Sequence, residues 1–73
     1  MSKICLTLKE KLEECGITRY RLSKMTEIQY QTIDRYYKNK ITKIDSYILG
    51  RFCGALHCPV SDLLRFVSEE EEE

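Results

Sequence analysis

Apolar residues at helical spacing fill residues 18–37 and predict two short helices joined by a tight turn. The first helix is predicted from a cap at Thr18 to about Met25, and the second from about Gln29 to Tyr37. Five side chains fall where two crossed helices would share an interior: Leu22, Met25, Ile28, Ile33 and Tyr36. This pattern indicates a helix-turn-helix, which leaves the outer face of its second helix free to contact a ligand.

The segment before this motif is predicted to be an amphipathic helix, because apolar residues recur there at steps of three and four. Its inward positions are Cys5, Leu8, Leu12 and Cys15. Gly16 is well suited to end this helix. The Thr18 hydroxyl can then accept a backbone amide hydrogen bond at the start of the next helix.

Two more helices are predicted after the motif, beyond a basic loop at residues 38–44. The first, at residues 47–56, can be capped by Asp45 or Ser46. Its inward positions are Ile48 or Leu49, Phe52, Cys53 and Leu56. Pro59 is tolerated in the first turn of the last helix, whose apolar positions are Val60, Leu63, Leu64 and Val67. The predicted fold class is therefore all-α.

The length of 73 residues allows one domain, predicted to comprise residues 1–68. Residues 69–73 are all glutamate and are expected to form an acidic, disordered tail. The chain has no run of about 18 apolar residues to cross a bilayer, and its first residues lead into charged ones rather than a secretory signal. We therefore expect a cytoplasmic protein without a membrane partner.

Charge is unevenly distributed although the formal net charge of the chain is +0. Residues 17–43 contain seven Lys or Arg and two Asp or Glu, a local net charge of +5. The basic residues are Arg19, Arg21, Lys24, Arg35, Lys38, Lys40 and Lys43. Positive charge concentrated on one motif is expected of a surface that binds phosphate groups.

The four cysteines predict little chemistry. Without a secretory signal a reducing compartment is favoured over two disulfides, and a free cysteine usually packs as a small apolar side chain. Cys53, His57 and Cys58 could approach one another, but three ligands without a CxxC pair favour packing over a zinc site. The chain also has no glycine-rich phosphate loop and no nucleophile with an evident base. We expect no enzyme activity, cofactor, metal or small-molecule substrate.

Residues 6–67 resemble the Cro and lambda-repressor type (XRE-like) helix-turn-helix domains of bacteria and phages. The resemblance depends on the order and spacing of several short pieces, listed here along the chain: Leu8 and Leu12, Gly16-Ile-Thr, Tyr20-Arg-Leu-Ser, Ile28, Ile33, and the run from Phe52 to Leu64. The resemblance implies a compact five-helix bundle whose helix at residues 29–37 lies in the DNA major groove.

By position, the resemblance implies that Tyr30, Gln31 and Arg35 contact bases. The residues implied to contact the DNA backbone are Arg19, Gln29, Tyr37, Lys38, Lys40 and Lys43. The implied function is sequence-specific binding of double-stranded DNA as a transcriptional regulator, a repressor, of a bacterial, phage or mobile-element operon. One such helix covers only a few base pairs, so we expect a homodimer at least on DNA.

The sequence departs from the family pattern at the turn. Glu27 stands where the family usually has glycine, and a left-handed backbone there would cost about 1 kcal/mol and place a negative charge near DNA. Gln29 replaces the usual small hydroxyl cap, and His57 occupies a common glycine position. The alternative function is therefore a protein-interaction module on the same fold, with weak or lost DNA binding.

Overall fold

The computed structural model describes residues 3–68, and within this range the chain forms four α-helices and a two-stranded sheet. The elements in order are β1 (Lys3–Leu6), α1 (Leu8–Cys15), α2 (Arg19–Thr26), α3 (Tyr30–Tyr37), α4 (Ser46–Leu56), a 3₁₀ turn (Val60–Asp62) and β2 (Leu64–Val67). The helix-turn-helix is confirmed as α2 and α3. The prediction of an all-α bundle of five helices is wrong.

The sheet accounts for this difference. Strands β1 and β2 pair antiparallel, with Ile4 opposite Phe66 and Leu6 opposite Leu64. The predicted first helix therefore begins only at Leu8, and Cys5 lies in a strand. The last helix is replaced by the 3₁₀ turn and β2. A short apolar run fits helical spacing and strand alternation equally well, and the pairing between distant segments decides between them.

The core lies between the helices and one face of the sheet. Its buried apolar side chains are Leu6, Leu8, Leu12, Leu22, Ile33, Tyr36, Leu49, Phe52, Leu56 and Leu63. The rings of Tyr36 and Phe52 meet edge to face with centroids 5.4 Å apart, a favourable aromatic geometry. This contact packs α3 against α4.

Three predicted core positions are corrected by the structure. Met25 is 38% exposed, and Thr26, the next residue, is buried in its place. Cys15 is exposed at the end of α1, and Val60 is 46% exposed in the 3₁₀ turn. Leu22 and Thr26, four residues apart, form the buried stripe of α2, and Met25 lies beside this stripe.

Backbone caps fix where the helices begin and end. Gly16 has φ 70° after α1, as expected of a left-handed C-terminal residue. The Thr18 hydroxyl accepts a hydrogen bond from the Arg21 amide, and the Asp45 carboxylate accepts two from amides at the start of α4. Glu27 and His57 are left-handed at φ 61° and 54°. The predicted caps at Thr18 and Asp45 are confirmed.

The predicted acidic tail at residues 69–73 lies outside the described residues. Within the described chain all four cysteines are free. Burial raises the pKa of the Cys58 thiol, which lowers its reactivity and agrees with a packing role. Residues 3–68 contain no group of three or more His, Cys, Asp or Glu that could hold a metal ion. In the same range, no helix has the length and apolar character that a membrane crossing requires.

Candidate nucleic-acid interface

The turn between α2 and α3 is organised by the buried side chain of Thr26. Its hydroxyl donates to the Leu22 carbonyl oxygen at 2.8 Å and accepts from the Ile28 amide at 3.3 Å. The Arg51 guanidinium of α4 donates to the Thr26 carbonyl oxygen at 2.7 Å. These bonds satisfy the polar groups at the end of α2 and fix the direction in which the chain enters α3.

Helix α3 has a buried face and an exposed face. Ile33 and Tyr36 point into the core, whereas the side chains of Tyr30, Gln31 and Arg35 are exposed. Gln31 and Arg35 are four residues apart, so they lie one above the other on one side of the helix. The three residues predicted to contact bases are therefore together on the outer surface of α3.

The N-terminus of α3 has little side-chain capping. Gln29 occupies the position before the helix with an extended backbone, and its exposed side chain makes no capping hydrogen bond to the described residues. Amides at the first turn of such a helix point outward and can donate to an anion. Gln29 thus lies at the edge of the exposed face and does not cap the helix with its side chain.

A cluster of charged and aromatic side chains covers one flank of α3. Arg19, at the start of α2, forms an ion pair and hydrogen bond with the Asp34 carboxylate. Its guanidinium lies 4.3 Å from the ring centroid of Tyr37 and 5.8 Å from that of Tyr30. The Lys38 ammonium lies 3.1 Å from the second carboxylate oxygen of Asp34. We call these five residues the Asp34 cluster.

The two ion pairs of Asp34 are the feature of this surface that the sequence reasoning missed. The hydrogen bond from Lys38, and after it that from Arg19, holds the pKa of the Asp34 carboxyl below its usual range against the opposing effect of desolvation. Asp34 is therefore ionised near neutral pH. The spacing of Asp34 and Lys38, four residues apart on a helix, was the signal for one of its two ion pairs.

The end of α3 is joined to the sheet by Asn39. Its side-chain amide donates to the Leu6 carbonyl oxygen at 2.8 Å and its side-chain oxygen accepts from the Leu6 amide at 2.6 Å. Asn39 also has φ 60°, a conformation that asparagine tolerates better than most residues. The basic loop therefore leaves α3 in a defined direction. No sequence signal revealed the partner, because Leu6 is 33 residues away.

The basic loop is held at both ends and presents its lysines outward. The Lys40 amide donates to the Arg35 carbonyl oxygen at 2.9 Å, and the Tyr36 hydroxyl accepts from the Asp45 amide at 3.0 Å. Lys40 and Lys43 are exposed and form no ion pair with the described residues. Two kinds of cation thus surround α3: those paired with Asp34, and those of the loop, which are available to a ligand.

The family model for the Cro/C1-type HTH DNA-binding domain matches residues 2–69. A crystal structure of a candidate DNA-binding protein from Bacteroides fragilis is similar with a TM-score of 0.76, covering 86% of this chain and 100% of that chain. Its sequence identity of 21% supports likeness of fold alone.

No curated protein sequence matches the chain significantly. The family assignment therefore depends on the family model, which spans nearly the whole sequence and agrees with the resemblance inferred from the sequence. Domains of this family are typically not enzymes, and their presence indicates DNA binding and transcription regulation. The chain belongs to the Cro/C1-type HTH family of DNA-binding domains.

Proposed function

We propose that the protein binds double-stranded DNA in a sequence-specific manner, with α3 in the major groove. The observation that carries this proposal is the exposed face of α3, where Tyr30, Gln31 and Arg35 lie opposite the buried Ile33 and Tyr36. A helix held against the domain by one face and polar on the other is the element that a helix-turn-helix inserts into the groove.

The side chains on this face match the hydrogen-bonding groups of base edges. The Gln31 amide can bond to N6 and N7 of adenine, and the Arg35 guanidinium to O6 and N7 of guanine. Tyr30 is 43% exposed at the start of α3, so its ring and hydroxyl can also reach the groove. These three residues are proposed to determine the preferred DNA sequence.

The surrounding groups are proposed to hold the phosphate backbone. Lys40 and Lys43 lie exposed on the loop beyond α3, and Gln29 lies at its N-terminal edge. Three further residues of the proposed contact set belong to the Asp34 cluster: Arg19, Tyr37 and Lys38. Contacts of this kind position the domain on the duplex and contribute most of the salt-dependent affinity.

The regulatory role is proposed to be repression of a bacterial, phage or mobile-element operon, by a homodimer in the cytoplasm. Two copies of α3 spaced by about 34 Å would occupy successive major grooves on one side of a twofold site. Doubling the base contacts in this way supplies the specificity that a single helix lacks.

Selection of bound sequences from a random duplex pool tests the proposal. We expect an enriched, twofold-symmetric site, with two half-sites centred about one helical turn apart. Mobility shifts over a range of salt concentrations should then show tighter binding to this site than to random duplex. Enrichment of no sequence, together with absence of salt-dependent binding, would contradict the proposed function.

The second candidate function is a protein-interaction module with weak DNA binding. Two observations favour it: exposed Glu27 at the turn before α3, and Asp34, which neutralises part of the charge on α3. Negative groups at these places oppose the approach of a phosphate backbone. The same salt-dependent mobility shift separates the two functions, because a module of this kind would show little affinity for any duplex.

A further inference from the structure

The two oxygens of the Asp34 carboxylate are each occupied by a different cation. One accepts from the Arg19 guanidinium of α2, and the other lies 3.1 Å from the Lys38 ammonium at the end of α3. A carboxylate bridging two cations presents them with an anion much as a DNA phosphate would. Two residues of the proposed phosphate-binding set therefore already have an anionic partner within the same chain.

We propose that Asp34 is an internal counter-ion that restrains non-specific DNA binding, by occupying the two cations that would otherwise bind phosphate. This inference rests on the proposed function, because it concerns the strength of the same interface. Asp34 would then lower the affinity for DNA, within a surface whose other proposed contact residues raise it. In the free protein the cluster contributes a net charge of +1 rather than +2 to the face that meets DNA.

The arrangement favours exchange of Asp34 for phosphate over a permanent structural pair. The Lys38 side chain is 51% exposed and that of Asp34 is 26% exposed, so water and solute anions reach both groups. Ion pairs in such positions are weak, because water screens them and both side chains lose freedom when they pair. An approaching phosphate can therefore replace the carboxylate, but only against the attraction that Asp34 exerts.

Arg19 keeps its position when Asp34 releases it. Its guanidinium also lies over the rings of Tyr37 and Tyr30, at 4.3 and 5.8 Å from their centroids. These contacts are cation–π interactions and do not require the carboxylate. Removal of the Asp34 charge should therefore free Arg19 to bind phosphate without displacing it from the surface of the helix-turn-helix.

Asp34→Asn tests this role, because it removes the charge and keeps the size of the side chain. The matched control is Asp62→Asn, which also removes one negative charge but frees Lys11, 3.1 Å from Asp62 and outside the Asp34 cluster. For random duplex at low salt we expect Asp34→Asn to bind several-fold tighter than the original protein. The slope of log affinity against log salt should steepen by about one for each of the two cations that Asp34 no longer occupies. Asp62→Asn should change neither quantity appreciably.

Lys38→Gln distinguishes a counter-ion from a general effect of charge. In the original protein this change should reduce the salt slope only slightly, because the Asp34 carboxylate already occupies the Lys38 ammonium and keeps it from phosphate. In the Asp34→Asn background it should reduce the slope by about one. Equal reductions in the two backgrounds would mean that the charges act independently, and would overturn the inference.

The remaining outcomes separate this inference from the proposed function. Binding by the original protein with no gain in Asp34→Asn overturns only the counter-ion role. Absence of duplex binding in both proteins overturns both proposals. If Asp34→Asn binds duplex and the original protein does not, the counter-ion role is supported. The original protein then fits the second candidate function, a protein-interaction module with weak DNA binding. A thermal unfolding curve shows whether Asp34→Asn folds, and Asp34→Ala, which favours helix, replaces it if it does not.

Discussion

The helix-turn-helix and the two-stranded sheet differ in what they present to solvent. The exposed face of α3 carries Gln31 and Arg35, whereas the sheet exposes Ile4 and Phe66 opposite each other. The helical face offers hydrogen-bonding and charged groups suited to a polyanion, and the apolar pair offers none. The helix-turn-helix is thus the region that we propose to recognise DNA, while the sheet joins the two ends of the described chain and covers the core with Leu6.

Substitution of the two phenylalanines should show the largest contrast between packing in the core and exposure on the sheet. Phe52 is 0% exposed beneath α3, and Phe66 is 58% exposed on the sheet. Phe52→Ala should lower the free energy of unfolding by about 3–5 kcal/mol, because it leaves a cavity against Tyr36. Phe66→Ala should lower it by less than about 1 kcal/mol. Chemical denaturation measures both values, and equal losses would contradict the described packing.

Removal of the connection between the two regions should have the next largest effect. Asn39→Ala removes both hydrogen bonds to Leu6 and places alanine at φ 60°, so we expect a loss of about 1–3 kcal/mol in unfolding free energy. Asn39→Gly is the matched variant, since glycine tolerates this backbone but also lacks the amide. If Asn39→Gly kept the unfolding free energy of the original protein, the hydrogen bonds to Leu6 would contribute nothing to stability.

Relief of the strained turn should stabilise the helix-turn-helix. Glu27 has φ 61°, and Glu27→Gly should raise the unfolding free energy by about 0.5–1 kcal/mol. Glu27→Gln keeps the backbone cost and removes only the charge, so its stability should stay near that of the original protein. A thermal melt of the three proteins checks this order, and a destabilised glycine variant would contradict it.

Acid should weaken the Asp34 cluster by a small amount. The cations beside Asp34 lower its pKa in the folded state, so its ion pairs stabilise the fold above the pKa of the unfolded chain. This contribution is lost as pH falls through the lowered folded value. Urea denaturation from pH 7 down to pH 2 should show a smaller decrease for Asp34→Asn than for the original protein. Identical pH profiles would show that the pairs do not affect stability.

The helix-turn-helix and the sheet also differ in how far the sequence predicts them. Thr18, Asp45 and Gly16 act on their own neighbours, so local spacing identified the caps and the helix-turn-helix correctly. The sheet depends on pairing between residues more than 55 positions apart, such as Cys5 with Arg65, and a short apolar segment does not reveal its partner. Local patterns were misleading where a distant segment decided the structure.

The same distinction applies to the candidate site. The exposed positions of α3 followed from helical periodicity, and they place Tyr30, Gln31 and Arg35 on one surface. The ion pair of Arg19 with Asp34 and the bonds of Asn39 to Leu6 join different elements. The sequence marked these residues as charged or turn-favouring but could not show which groups they contact.

The affinity of single alanine variants on a selected site and on random duplex tests the central claim most directly. Gln31→Ala and Arg35→Ala should each cost about 1–3 kcal/mol on the selected site and much less on random duplex, because base contacts exist only on the former. Lys40→Ala is the control, since loss of a phosphate contact should weaken both complexes alike and reduce the salt slope by about one. Equal losses on both duplexes for Gln31→Ala and Arg35→Ala would contradict the role of α3 in sequence recognition.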